Sequence, residues 1–232
     1  MKLQIRRSEE RGKTKLDWLD SRHGFSFGRY NNENNINFGK LVVFNDDIIS
    51  PAKGFGAHPH EQMEIVTIVL EGELKHEDTL GNKGVIRKGE LQRMSAGTGV
   101  FHSEFNASKE ENAHILQIWI EPKSIEKPSY EDRKLNLEKN KLNLIVSGEK
   151  NKNMSYFNQD AYFLLGEFTE NKKEVYKLKN KNNGVYIFVI EGKIEINGNS
   201  LRTEDSSTIT EVEEITMQID KNSKILLIEV PQ

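Results

Sequence analysis

The chain has 232 residues, no cysteine, six histidines and a formal charge of −3 from 33 basic and 36 acidic side chains. The missing cysteines exclude disulfides, thiolate metal sites, iron–sulfur clusters and a cysteine nucleophile. The balanced charge argues against nucleic acid as a direct partner, because phosphate binders present a strongly basic face.

The opening "MKLQIRRSEERGKTK" is too charged for a signal peptide, and no apolar run is long enough to cross a bilayer. A cytoplasmic protein without membrane contact is therefore expected. From there, "KLVVFND", "EIVTIVLEGELKHED", "HILQIWI", "GVYIFVIEGKIEIN" and "SKILLIEV" follow one another. They are rich in Val, Ile, Phe and Tyr and are separated by Gly, Asn and Asp turns, which reads as an all-β sandwich or barrel. The stretch "SIEKPSYEDRKLNLEKN" after Pro122 is expected to be a helical connector. The Lys/Asn-rich runs "KLNLEKNKLNL" and "ENKKEVYKLKNKNNG" read as solvated loops, without the interleaved aromatic rings of a single-strand binder. "IVTIVLEGEL" at 65–74 resembles "VYIFVIEGKI" at 185–194, with Gly72 and Gly192 at equivalent turns 192 − 72 = 120 residues apart. That repeat predicts two similar β units: residues 1–125, a connector at 126–140, and residues 141–232.

All six histidines fall in the first 114 residues, so histidine-dependent chemistry belongs to the first unit. In "GFGAHPHEQ", His58 and His60 stand at i and i+2, which on a strand point to one face. In "MSAGTGVFHSEFN", His102 and Glu104 repeat that spacing. If the two strands are neighbours, three imidazoles and a carboxylate converge, a donor set suited to Fe, Ni, Cu or Zn. Glu64 is a rival carboxylate, but a straight strand would carry it roughly 13 Å from His60. It is better placed as a partner for a ligand histidine. His76, in the polar "KHEDTLGN", reads as a solvated surface residue, His114 as structural, and His23 as a hydrogen-bonded loop residue.

The segment "GFGAHPHEQMEIVTIVLEGELKHEDTLGNKGVIRKGELQRMSAGTGVFHSEFN" resembles the signature of the pirin family of cupins. The upstream "ERGKTKLDWLDSRHGFSFGRY" is similar to the opening of bacterial pirin-like proteins, including those of quercetin 2,3-dioxygenase type. The resemblance is specific over about residues 5–122 and weaker beyond. It implies a bicupin, with two β-barrel (jelly-roll) domains face to face and one metal in the N-terminal barrel. The ion is usually Fe(II), with Ni, Mn, Cu, Co or Zn as alternatives, and the ligand pattern falls on His58, His60, His102 and Glu104. It further implies a flavonol-like aromatic substrate and O2, with Glu104 available as a general base and carbon monoxide released with a depside product. Phe25, Phe27 and Phe55 are placed near the barrel mouth as an aromatic wall. The other function such a centre could serve is that of a metal-loaded, redox-sensing regulator that binds a protein partner.

Overall fold

The structure, a computed structural model, describes residues 1–151 and 153–232. Among these there is one short 3-10 turn, Ser8–Glu10, and no α-helix. Everything else that is regular is strand. In each half a seven-stranded sheet packs on a four-stranded one, giving two cupin domains of jelly-roll type.

The internal repeat marks equivalent positions. Glu64–Glu71 lies third in the seven-stranded sheet of the first half, and Asn183–Glu191 lies third in that of the second. The glycine after each adopts positive φ, 72° at Gly72 and 87° at Gly192, as a turn from one sheet into the next demands. Side chains are not free to grow there: a Cβ on Gly72 would lie 2.5 Å from the Asn112 carbonyl oxygen.

Alternation along the central strands divides the core. Leu116, Ile118 and Ile120 of Ala113–Ile120 face the other half, where they join Leu226, Ile228 and Val230 of Ser223–Pro231 in one cluster. The two seven-stranded sheets thus meet face to face. Within the second barrel the inward residues are also apolar, among them Ile187, Ile194, Ile196, Met217 and Leu227. The first barrel departs from this: its apolar clusters sit toward either end, and the middle carries His76, His102, Glu104 and Gln117, all buried.

Three expectations from sequence change. The stretch expected to be helical holds the strand Ser129–Lys134, which pairs antiparallel with Glu90–Ser95 and forms the edge of the first sheet. Long-range ladder bonds there override a locally helical pattern. At the other end of the chain, Lys2–Arg6 pairs with Ser206–Thr210 in the second half's sheet. Each sheet therefore takes an edge strand from beyond its own run of sequence, which ties the halves together across the simple boundary. The run at 172–177 is the strand Lys172–Lys177, not a loop: it pairs with Glu214–Ile219 and buries Tyr176 while its lysines face solvent. Pro51, Pro59, Pro122, Pro128 and Pro231 all keep trans peptide bonds.

Candidate metal centre

The four-stranded sheet of the first half has Gly54–His60 at one edge, Val100–Asn106 beside it, then Glu73–Asp78 and Lys83–Arg87. His102 pairs across with His58 on one side and with Asp78 on the other, while Glu104 lies opposite His76. Because side chains alternate, three i, i+2 pairs face one interior: His58 and His60, His102 and Glu104, His76 and Asp78. An irregularity in pairing between His102 and Glu104 offsets the strand there, as a bulge does when it re-aims a side chain.

The rings of His58, His60 and His102 pack at centroid distances of 4.5 to 4.8 Å, and their nitrogens lie close enough to share one ion. His102 Nε2 stands 3.0 Å from His58 Nε2. His58 Nδ1 lies 2.8 Å from the Gly56 carbonyl oxygen, which can only accept. The proton must therefore sit on Nδ1, leaving the His58 Nε2 lone pair aimed at His102. His60 is held edge-on by Trp119 at 4.8 Å. Burial pushes His102 far below the ordinary histidine range, and the neighbouring imidazoles push it further. For His60, burial and then His58 lower the pKa to about 4. Both shifts favour the uncharged rings of His60 and His102 at neutral pH.

Glu104 is buried, and Gln117 Nε2 donates to its Oε2 at 2.7 Å; Gln117 is held in turn by Trp119 Nε1 at 3.2 Å. The other oxygen, Oε1, is buried without a hydrogen-bond partner among the described residues. Burial, reinforced by the charge of nearby Asp47, raises the Glu104 pKa to about 7. Glu104 also falls with His76 and His102 in a second close grouping of possible ligand atoms. Clustered imidazole nitrogens and an orphaned carboxylate oxygen are what a cation relieves, so the donor set is compatible with a single divalent metal. No comparable grouping occurs in the second half among the described residues.

A cavity of about 820 Å³ opens onto His58, His60 and Glu104. Its walls include Trp18, Phe27, Phe55 and Trp119, with Lys13, Lys15 and Arg29 also lining it. Phe27 meets Trp119 edge to face at 5.6 Å, and Phe55 meets Trp18 likewise at 5.2 Å. His23, held by Asn45 and Thr14 at 2.8 Å each, belongs to the same wall.

The expected site residues therefore separate. His58, His60 and His102 come together, Glu104 groups with His102 and His76, and Phe27 and Phe55 line the cavity. Phe25 does not: it is buried between the halves against Tyr186, at 5.7 Å between rings. Glu64 is not at the centre either. It is buried where it accepts from Ser95 Oγ at 2.6 Å, facing Arg93. His76 is the clear correction: expected at the surface, it is fully buried with Nδ1 3.3 Å from His102 Nδ1. His114 is structural, bonded to Asp46 at 2.5 Å.

A bicupin with an imidazole-lined first barrel and an aliphatic second one defines the class of protein. Residues 4–120 match the pirin family and residues 144–230 the quercetinase C-terminal cupin domain. The chain belongs to the pirin family. It is 38% identical over 228 residues to the quercetin 2,3-dioxygenase of Escherichia coli K12, covering 98% of each chain. A pirin-like protein of Caulobacter vibrioides is 36% identical over 216 residues, 91% of this chain and 92% of that one. The crystal structure of the bacterial pirin YhhW from Escherichia coli in complex with nickel(II) superposes with a TM-score of 0.94 at 37% identity, covering 99% of both. Among the described residues no helix is long and apolar enough to cross a membrane.

Proposed function

We propose that this pirin is a metal-dependent dioxygenase that cleaves quercetin or a related flavonol with O2, holding one divalent ion, Fe(II) by preference, on His58, His60, His102 and Glu104. The observation that carries this is the junction of an aromatic-walled cavity with neutral imidazoles and a buried carboxylate bearing a free oxygen. The relationship to a quercetin 2,3-dioxygenase over nearly the whole chain supports the same choice of substrate class.

A bound ion supplies Lewis acidity that favours the ionised flavonol. The chain supplies the rest. Trp18, Phe27, Phe55 and Trp119 offer flat apolar surfaces to a fused ring system. Lys13, Lys15 and Arg29 favour approach of an anionic substrate. Gln117 fixes one oxygen of Glu104, so the other is presented to the cavity and can take the proton of the 3-hydroxyl. His102 and Glu104 are buried, which keeps bulk water from competing at those two groups.

The overall change is flavonol plus O2 to depside plus carbon monoxide. The test is to incubate iron-loaded protein under oxygen with a flavonol and with the matching flavone that lacks the 3-hydroxyl. The flavonol should be consumed with one carbon monoxide released per O2 taken up, while the flavone persists. If neither compound is consumed, or both are consumed equally, the proposed function is wrong.

A further inference from the structure

We infer that Asp78 and His76 are positioning residues for this centre, forming a hydrogen-bonded chain, Asp78 to His76 to His102, that fixes which nitrogen of His102 offers its lone pair. The inference rests on the assignment of His102 as a metal ligand.

The chain is continuous and shielded from solvent. His76 Nε2 lies 3.3 Å from Asp78 Oδ2, and the side chains of both are fully buried. His76 Nδ1 lies 3.3 Å from His102 Nδ1, and His102 Nε2 lies 3.0 Å from His58 Nε2. Asp78 is anchored by the backbone N–H groups of Leu80 and Asn82 on Oδ1 and by Asn82 Nδ2 on Oδ2. The turn "TLGN" thus holds it as a fixed acceptor. Tyr130, from the edge strand Ser129–Lys134, stacks on the His76 ring at 4.6 Å with planes 27° apart. Its hydroxyl accepts from Gln92 Nε2 at 3.0 Å.

Counting protons shows what this arrangement selects. Gly56 oxygen needs a proton on His58 Nδ1, and Asp78 needs one on His76 Nε2. With all three imidazoles uncharged there are three protons, so only that of His102 remains for the two nitrogen–nitrogen contacts. Placed on Nε2, it leaves the lone pairs of His102 Nδ1 and His76 Nδ1 facing each other. Placed on Nδ1, it completes the chain to Asp78 and leaves His102 Nε2 and His58 Nε2 both bare, converging at 3.0 Å. A cation beside His58 and His60 relieves that second arrangement, whereas the first would need the ion at His76 and Glu104 instead. Asp78 and His76 therefore prepare His102 to bind through Nε2, with Nδ1–H donated outward, as carboxylate–imidazole pairs behind metal ligands do.

Zinc(II), which is diamagnetic, is the probe. Affinity is measured by chelator competition and tautomers by long-range nitrogen–proton NMR on the full chain. Zinc-loaded wild type should show a proton on Nδ1 of His102 and on Nε2 of His76. His76→Phe, which keeps the stack on Tyr130 but has no acceptor, should lose about 10–100-fold in zinc affinity. His76→Asn, which returns an acceptor oxygen near the Nδ1 position, should recover part of it. Asp78→Asn, nearly isosteric, should shift the His76 proton to Nδ1 and lower affinity in the same range. Should a His76 variant fail to fold, the wild-type spectrum and Asp78→Asn still decide. Zinc affinity unchanged by His102→Ala would refute the ligand assignment itself. With His102→Ala impaired, wild-type affinity in His76→Phe and Asp78→Asn, or zinc bound directly at His76 Nδ1, would refute the chain of positioning.

Discussion

Gly54→Ala tests how closely the two ligand-bearing strands must sit. Gly54 opens the strand Gly54–His60 and pairs with Phe105, next to Glu104. A Cβ there would lie 2.1 Å from the Glu104 carbonyl oxygen and 2.5 Å from Phe105 Cα. Ordinary contact begins at 3.4 Å, so the strands must part by 3.4 − 2.1 = 1.3 Å at that end. Overpacking of this kind costs about 1–3 kcal/mol. For a domain of this size each kcal/mol lowers Tm by about 2–4 °C, so the metal-free variant should melt about 2–12 °C lower. A displacement near 1 Å within a preorganised site can cost about 100-fold, and nickel(II) affinity should fall by between one and two powers of ten. Gly56→Ala is the matched control, on the same strand but with nothing among the described residues within 4 Å of the added carbon. Calorimetry on metal-free protein and chelator competition with nickel(II) measure both quantities. If the two variants hold nickel equally well, the strand spacing does not control the centre.

Three other predictions follow the same logic. His58→Ala, His102→Ala and Glu104→Gln should each reduce metal affinity by at least about 10–100-fold, because loss of a direct ligand should exceed loss of an outer support; an unchanged metal content in Glu104→Gln would remove Glu104 from the set. In the second barrel, Glu229→Leu strands Tyr176 Oη, the Lys179 and Asn180 N–H groups and Asn183 Nδ2, all bonded to that carboxylate at 2.6 to 2.9 Å. Denaturant titration should show a loss of about 3–5 kcal/mol with one metal per chain retained, and a loss below 1 kcal/mol would contradict the bonding. For His114, burial opposes the charged form, but the hydrogen bond and charge of Asp46 outweigh it and raise the pKa. A raised histidine contributes fully below its unfolded pKa, so this stabilisation is lost as pH rises through the folded value, and His114→Gln should flatten stability against pH above about 6.5.

The i, i+2 rule was enough to set the pairs His58/His60 and His102/Glu104 on neighbouring strands, as the pairing of Gly54–His60 with Val100–Asn106 shows. The pair His76 and Asp78 has the same spacing, but the intervening Lys75 and Glu77 face outward and give the stretch a solvated look. Which face of a polar strand is buried depends on the sheet that closes over it, and local composition does not carry that. The strand Ser129–Lys134 was hidden for a related reason: its partner, Glu90–Ser95, lies about forty residues back, and a charged edge strand resembles an exposed helix. Phe25 and Phe27 share a spacing and yet diverge, because the backbone bends at Gly24 and Phe25 rather than continuing as a strand, and Phe25 packs between the halves while Phe27 lines the cavity. The aliphatic second barrel was legible from its lack of histidine and cysteine, and its Ile, Leu and Met side chains fill the space that the first barrel gives to the site.

The most direct measurement is anomalous diffraction at the iron edge on crystals of iron(II)-loaded protein grown without oxygen. One peak per chain is expected, between His58 Nε2 and His102 Nε2 and within coordination reach of His60 and Glu104 Oε1. A peak between His76 and His102, a second peak in the other barrel, or none at the three imidazoles would contradict that expectation.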